Sequence, residues 1–165
     1  MIREGDVAPD FELVSSSGRR VKLSEYAGQK SVVLFFYPKD DSPGCTAQAC
    51  SFRDAYDAFA EAGAEVIGIS SDSAASHQAF GNKHRLPMTL LSDPNGQVRS
   101  RYGVGSTLGI LPGRATFVID KSGVVRHAFS SQLRVERHVK EALEVLERLS
   151  RGLSSPLARN RLAPA

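Results

Sequence analysis

Apolar positions along this chain change rhythm several times, and each change marks an element. Phe11-Glu12-Leu13 and Val21-Lys22-Leu23 alternate around the turn-forming Ser15-Ser16-Ser17-Gly18, the pattern of a short N-terminal β-hairpin. Val32 to Phe36 is continuously apolar, which predicts a central strand buried on both faces. Phe52, Tyr56 and Phe59 then recur at helical spacing within a stretch from Cys45 to Ala62, and Gly63 stands where a helix ends in a left-handed residue. Val66-Ile67-Gly68-Ile69-Ser70 reads as a second buried strand, completing a βαβ unit. Asp72 or Ser73 is placed to cap a further helix that stops before Pro87. Turn signals at Asp93-Pro94-Asn95-Gly96 and Asp120-Lys121-Ser122-Gly123 bracket later strands, and the second separates Thr116–Ile119 from Val124–Phe129 as a hairpin. Val135, Val139, Leu143, Leu146 and Leu149 line one side of a last helix. From Arg151 to Ala165 the period disappears and Pro156 and Pro164 intervene, so a flexible tail is expected. The sum is a mixed sheet covered by helices, an α/β sandwich.

Length and composition agree with one domain over residues 1–150, since 165 residues with 41% hydrophobic content can bury a substantial core. The net charge is +3, and three arginines with no acid lie from Arg151 onward, so the body up to Ser150 is formally neutral. That argues against a dedicated nucleic-acid surface. No apolar run approaches a membrane span, and Met1-Ile2-Arg3-Glu4-Gly5-Asp6 lacks the layout of a signal peptide. The expectation is a soluble cytoplasmic protein with no membrane partner; a plastid location stays open if a transit peptide preceded Met1. Two cysteines are too few for a disulfide framework. Close cysteines in a reducing compartment point to redox chemistry or a metal, but Cys-x4-Cys has no second pair of ligands nearby, and His77, His84, His127 and His138 are scattered.

The chemistry concentrates in Pro38-Lys39-Asp40-Asp41-Ser42-Pro43-Gly44-Cys45, between the first buried strand and the following helix. Ser42 before Pro43 reads as an N-cap followed by proline at the first helical position, which puts Cys45 at the third. There a thiol meets unsatisfied backbone N–H groups and the positive end of the helix dipole, conditions that favour a thiolate nucleophile. Simpler readings exist for each residue: a small buried cysteine, a serine that only caps, a proline that only ends a strand.

The spacing Pro-x-x-x-Ser-x-x-Cys resembles the active-site signature of the peroxiredoxins. Tyr37-Pro38-Lys39-Asp40 through Gly44-Cys45-Thr46 to Cys50 is similar to their Q-type branch, also called bacterioferritin comigratory protein. Leu111-Pro112-Gly113-Arg114-Ala115-Thr116-Phe117-Val118-Ile119-Asp120-Lys121 is similar to the family's arginine segment, so two motifs far apart in sequence agree. The resemblance runs from about Gly5 to Leu149.

It implies a thioredoxin-like fold carrying an extra N-terminal hairpin. It also implies a peroxidase for hydrogen peroxide and organic hydroperoxides, re-reduced by thioredoxin or a similar dithiol protein, without metal, haem or flavin, and monomeric as Q-type relatives often are. Cys45 is then the peroxidatic nucleophile. Ser42 would turn its hydroxyl to thiolate or peroxide while accepting a backbone N–H, Pro38 would shield the sulfur, and the N–H groups of Gly44 and Cys45 would bind the anion. Arg114, which alone would read as solvated surface, becomes the cation that holds thiolate and peroxide together. Gln48 replaces a glutamate common in the family and bears on how Arg114 is oriented. Cys50 becomes the resolving cysteine, against the alternative of a core cysteine on the inner face of the helix. Five helical residues separate Cα atoms by about 8–9 Å, beyond the roughly 7 Å reach of a disulfide, so the helix start must unwind. Two other classes remain: a disulfide reductase, which would normally show Cys-x-x-Cys, and a redox-responsive binding or chaperone protein using Cys45 as a sensor.

Overall fold

The computed structural model describes residues 1–107 and 111–152. Strand β1 (Glu12–Ser15) and β2 (Arg20–Lys22) form the expected hairpin, followed by a 3-10 turn over Leu23–Tyr26. Then come β3 (Ser31–Phe36), α1 (Pro43–Asp54), α2 (Tyr56–Glu61), β4 (Ala64–Ser70), α3 (Ala74–His84), β5 (Thr89–Ser92) and α4 (Gln97–Arg101). A two-residue ladder joins β6 (Ser106–Thr107) to β7 (Leu111–Pro112), and β8 (Ala115–Ile119), β9 (Val125–Ser130) and α5 (Val135–Ser150) complete the described chain. Beyond Gly152, the expected tail lies outside the described residues.

The seven-stranded sheet runs β2-β1-β5-β4-β3-β8-β9. Its β3, β4 and β5 are parallel and the outer pairings antiparallel. Every residue of β3 is buried, because side chains alternate into two separate cores. Val32, Leu34 and Phe36 pack with Tyr102, Phe117 and Ile119 under the hairpin and α4. Val33, Phe35 and Tyr37 pack with Phe52, Phe59, Phe80 and Leu146 under the other helices. Phe35 and Phe52 stack with centroids 4.5 Å apart and planes 16° apart, which seats α1 across the middle of the sheet. The carboxyl end of β3 and the amino end of α1 therefore meet at the centre of the fold. Close packing there leaves no room on Gly68, where a Cβ would come within 2.6 Å of the Phe35 ring.

Two expectations need correction, and the choice between Asp72 and Ser73 as a helix cap is resolved. The single helix from Cys45 to Ala62 begins at Pro43 and is broken at Ala55 (φ −97°, ψ 4°) into α1 and α2. No proline or glycine stands there, so the apolar period had nothing to mark the break; Gly63, at φ +75°, ends α2 as expected. The helix after Ser70 is capped by Ser73, whose hydroxyl accepts the Ser76 N–H, rather than by Asp72. On α5 the deepest line is His138, Ala142, Val145 and Leu146, while Val135, Val139, Leu143 and Leu149 are half-buried. A periodicity built on apolar residues passes over a buried histidine.

His138 is fully enclosed, with Nδ1 2.7 Å from the Thr116 hydroxyl and Nε2 2.9 Å from the Ser131 carbonyl. The carbonyl can only accept, so Nε2 carries the proton and Nδ1 accepts from Thr116. Burial, with the Arg114 charge adding to it, lowers its pKa from 6.5 to about 4. A histidine held neutral in the fold and free to protonate when unfolded adds stability that is complete above its unfolded value and lost as the pH falls towards its folded one. Its share of stability should therefore decline between pH 6.5 and 4, by on the order of 3 kcal/mol in total. Urea unfolding of the wild type and of His138→Gln across that range checks this: the two curves should converge as the pH falls, whereas a constant offset would show that His138 does not titrate with unfolding.

Candidate active site

Helix α1 opens as its sequence predicts, with Ser42 extended (φ −74°, ψ 150°) and Pro43 at the first helical position. The buried stripe of α1 is Cys45, Gln48, Ala49 and Phe52, the i, i+3, i+4, i+7 series that faces the sheet. Cys45 is 1% exposed and belongs to the same core as Phe35 and Phe52. Cys50 is off that stripe and half-buried, which removes the reading of it as an inner-face core cysteine. Both thiols are free, and five helical steps point them about 140° apart.

Arg114, the residue before β8, is 4% exposed and reaches across to α1. Its Nη2 lies 3.2 Å from Cys45 Sγ and its Nη1 donates to Gln48 Oε1. One planar group thus spans two side chains a helical turn apart, which a lysine could not do. The Arg114 backbone is held as well, since its carbonyl accepts from the Ser130 hydroxyl at 3.0 Å and the Ser131 N–H at 3.3 Å. Gly44 is small for a reason visible here: a Cβ on it would come within 3.2 Å of Arg114 Nη2. Two donors in this cluster, Gln48 Nε2 and Arg114 Nε, are buried without a hydrogen-bond partner among the described residues. Such donors are rare in native structures and point to a ligand that is polar and accepting.

Ser42 departs from its expected geometry. Its hydroxyl donates 2.9 Å back to the Lys39 carbonyl and caps no helix N–H, although its own carbonyl accepts the first helical bond from Thr46 at 2.8 Å. Bonding within the turn satisfies the hydroxyl and leaves the Gly44 and Cys45 N–H groups without a cap from Ser42. Pro38 is half-buried at the exit of β3. Of the residues singled out from sequence, Cys45, Gln48 and Arg114 are joined by hydrogen bonds and Gly44 lies against them.

What the sequence reading missed is how the turn is anchored. Asp40, in the middle of it, accepts from the Tyr37 hydroxyl at 2.6 Å and the Ser76 hydroxyl at 2.8 Å, and lies 2.7 Å from His77 Nδ1. Its own N–H is held by Asp72 at 2.8 Å, and His77 Nε2 lies 2.9 Å from the Leu91 carbonyl. Burial raises the Asp40 pKa, but the hydrogen bonds from His77 and Tyr37 outweigh it and leave the carboxyl below its ordinary value. Tyr37 moves well up, through burial and the neighbouring Asp40 charge. Next to it, Asp41 adopts a left-handed backbone (φ +61°) and grips Lys83 at 2.8 Å and His84 at 3.1 Å. Asp40, Asp72 and His77 come close enough together to resemble a ligand set for a metal, but both Asp40 oxygens, Asp72 Oδ2 and both His77 nitrogens already have protein hydrogen-bond partners. Partners 37 residues apart leave no local signal in a sequence.

Comparison with known proteins places this geometry. The family model described as AhpC/TSA matches residues 5–128. Chloroplastic peroxiredoxin Q of Triticum aestivum is 52% identical over 149 residues, covering 90% of this chain and 68% of the relative. The Arabidopsis thaliana protein of the same name is 52% identical over 147 residues, covering 88% and 68%. Among solved structures, peroxidoxin BcpB from Mycobacterium tuberculosis superposes with a TM-score of 0.84 at 39% identity, covering 90% of this chain and 99% of that one. The bacterioferritin comigratory protein of Xanthomonas campestris, whose structure was described for its alkyl peroxide reduction, gives 0.81 at 29% identity over 90% and 98%. The mixed sheet with its flanking helices is the thioredoxin-like fold of these proteins. With a Q-type motif at the head of α1 and relatives matched over nearly its whole described length, the chain belongs to the AhpC/TSA family, in its peroxiredoxin Q branch.

Proposed function

We propose that Cys45 is the peroxidatic nucleophile of a thiol-dependent peroxidase and that Cys50 resolves its oxidised form. The observation that carries this reading is the guanidinium donor 3.2 Å from a buried sulfur in the first turn of a helix. A charge-assisted bond of that kind is stronger to a thiolate than to a thiol. The thiolate attacks one oxygen of a hydroperoxide, the O–O bond breaks, sulfur keeps the attacked oxygen as a sulfenic acid, and the other oxygen leaves with a proton as water or an alcohol. Arg114, Gln48 and the uncapped N–H groups of Gly44 and Cys45 supply donors for both peroxide oxygens as charge moves between them. The Cys50 thiolate then displaces the hydroxyl from the sulfenic sulfur, giving a disulfide and water.

The disulfide returns to two thiols by exchange with an external dithiol, for which thioredoxin or a similar protein is our choice. We take the working unit to be a monomer of one domain over residues 1–150, acting without nucleic acid or membrane. No helix among the described residues is long and apolar enough to cross a bilayer. We place the reaction in a reducing compartment, the cytoplasm by the sequence reading, with the chloroplastic names of the plant relatives setting the plastid beside it. Peroxide consumption coupled to thioredoxin and its reductase tests the reading as a whole. Steady turnover supports a peroxidase, and a single stoichiometric oxidation would favour a sensor.

Cys45→Ser should abolish peroxide reduction. Cys50→Ser should react once, giving a sulfenic acid that a carbon-nucleophile probe traps, and should lose turnover with thioredoxin; normal turnover of this variant would remove Cys50 from the cycle.

Arg114→Lys keeps the charge and loses the fork that joins Cys45 to Gln48. The second-order rate with hydrogen peroxide should fall by about ten-fold or more, equivalent to roughly 1.4 kcal/mol of barrier. A stopped-flow rate equal to wild type would exclude Arg114 from the chemistry.

Because the two thiols face different directions on an intact α1, the disulfide requires the segment from Cys45 to about Arg53 to unwind. This also breaks the bond from Arg53 Nη1 to the His84 carbonyl, now 2.7 Å. In the disulfide form, amides from Thr46 to Arg53 should exchange faster than in the reduced form, with the cross-link verified by mass spectrometry. Equal protection in the two forms would show that the bond forms without unwinding.

A further inference from the structure

Two arginines are buried among the described residues, Arg114 and Arg99, and the mechanism above uses only the first. Arg99 projects from α4 and is 9% exposed, between Val98 and Tyr102, which are core residues. Its Nη2 donates at 3.2 Å to the carbonyl of Tyr37, the residue that leads β3 into the Pro38–Cys45 turn. Its Nη1 has no hydrogen-bond partner among the described residues.

The obvious counter-charge, Asp93, is occupied otherwise. Its two oxygens accept the backbone N–H groups of Val98 (3.3 Å) and Arg99 (3.1 Å), and among the described residues no carboxylate forms an ion pair with the Arg99 guanidinium. A buried guanidinium without a carboxylate partner is costly to desolvate, and an apolar side chain would fill the same place beside Val98 more cheaply. Burial does act against the charge, and the negative groups opposing it are Asp93 and then Cys45. Arg99 is joined to the core of the thiol through Tyr37, whose carbonyl it holds and whose side chain packs in one buried cluster with Cys45. Other charged groups at this end of the sheet are committed: Arg114 to Cys45 and Gln48, Asp40 to Tyr37, Ser76 and His77.

We propose that Arg99 is a positioning residue and the second cation of the thiol site: it fixes the Tyr37 peptide from which the Cys45 turn departs, and its unpaired charge stabilises the Cys45 thiolate from the sheet side. The proposal rests on Cys45 being the nucleophile, so its test must separate the two ideas. In a Cys50→Ser background Cys45 is the only thiol, and its ultraviolet thiolate absorbance and its rate of sulfenic acid formation with hydrogen peroxide are both measurable. Arg99→Gln retains an N–H donor for the Tyr37 carbonyl and removes the charge; Arg99→Lys retains the charge and removes the fork.

The glutamine variant should titrate its thiolate at higher pH than the parent and react about three-fold or more slowly at neutral pH, whereas the lysine variant should keep the parental titration and rate. If Arg99→Gln does not fold by circular dichroism, Arg99→Met, which fills much of the same space without a charge, should show the same shift. A folded glutamine or methionine variant with the parental titration and rate would overturn the proposal. Absence of any sulfenic acid in the Cys50→Ser parent would instead overturn the assignment of Cys45.

Discussion

The guanidinium of Arg114, shared between the sulfur of Cys45 and the amide oxygen of Gln48, is the contact on which the site depends. It ties a strand from the second half of the chain to a helix from the first, inside an otherwise apolar layer. Each side of the contact is prepared separately. On one side, the Ser130 hydroxyl and the Ser131 N–H hold the Arg114 carbonyl at the mouth of β8. On the other, the Phe35–Phe52 stack keeps α1 flat on the sheet so that Cys45 and Gln48 present themselves on one face. Gly44 gives the fork room to approach. Preorganised donors of this kind need little rearrangement when charge develops, which is the main source of catalytic electrostatics.

A tension follows from placing the proposed nucleophile in a core. Packing that orients Cys45 also makes it 1% exposed and separates it from Cys50 by the body of a helix. Oxidation by a small peroxide is compatible with this arrangement, and bonding to a second thiol is not. Opening the segment from Cys45 to about Arg53 must therefore release both the polar contacts around Arg114 and the burial of Ala49 and Phe52. Gln48 gives Arg114 a neutral acceptor, which orients the guanidinium without neutralising its charge.

Much of this was legible in the chain. The runs Val32–Phe36 and Val66–Ser70 announce strands buried on both faces, and Ser42-Pro43 announces a helix start, because these are local consequences of hydrophobic burial and of proline's fixed φ. The family resemblance then pointed to Arg114, and the geometry brings that residue to Cys45. What stayed hidden is of two kinds. The break at Ala55 has no proline or glycine to announce it, and the burial of His138 is set by its contacts with Thr116, Phe129 and the Ser131 carbonyl. The bonds of Asp40 with His77, and of Arg99 with Tyr37, join residues 37 and 62 apart, and polar pairing at such distance has no period to read. The Ser42 hydroxyl is a subtler case: its cap position was visible, but its choice of the Lys39 carbonyl over a helix N–H depends on the shape of the turn.

The anchoring of Asp40 has a consequence for how the enzyme resets. Starting a helix from coil is the slow, improbable part of forming one, with a nucleation penalty on the order of 10⁻³, whereas adding residues to an existing turn is close to neutral. Tyr37, Ser76, His77 and Asp72 hold the residues before Ser42 through bonds that do not involve α1 at all. When the first turns of α1 open, the strand-side half of the nucleus is therefore still standing. Rewinding after reduction becomes propagation from a fixed template, and the thiol returns to its place by a rapid, local step rather than by refolding a domain.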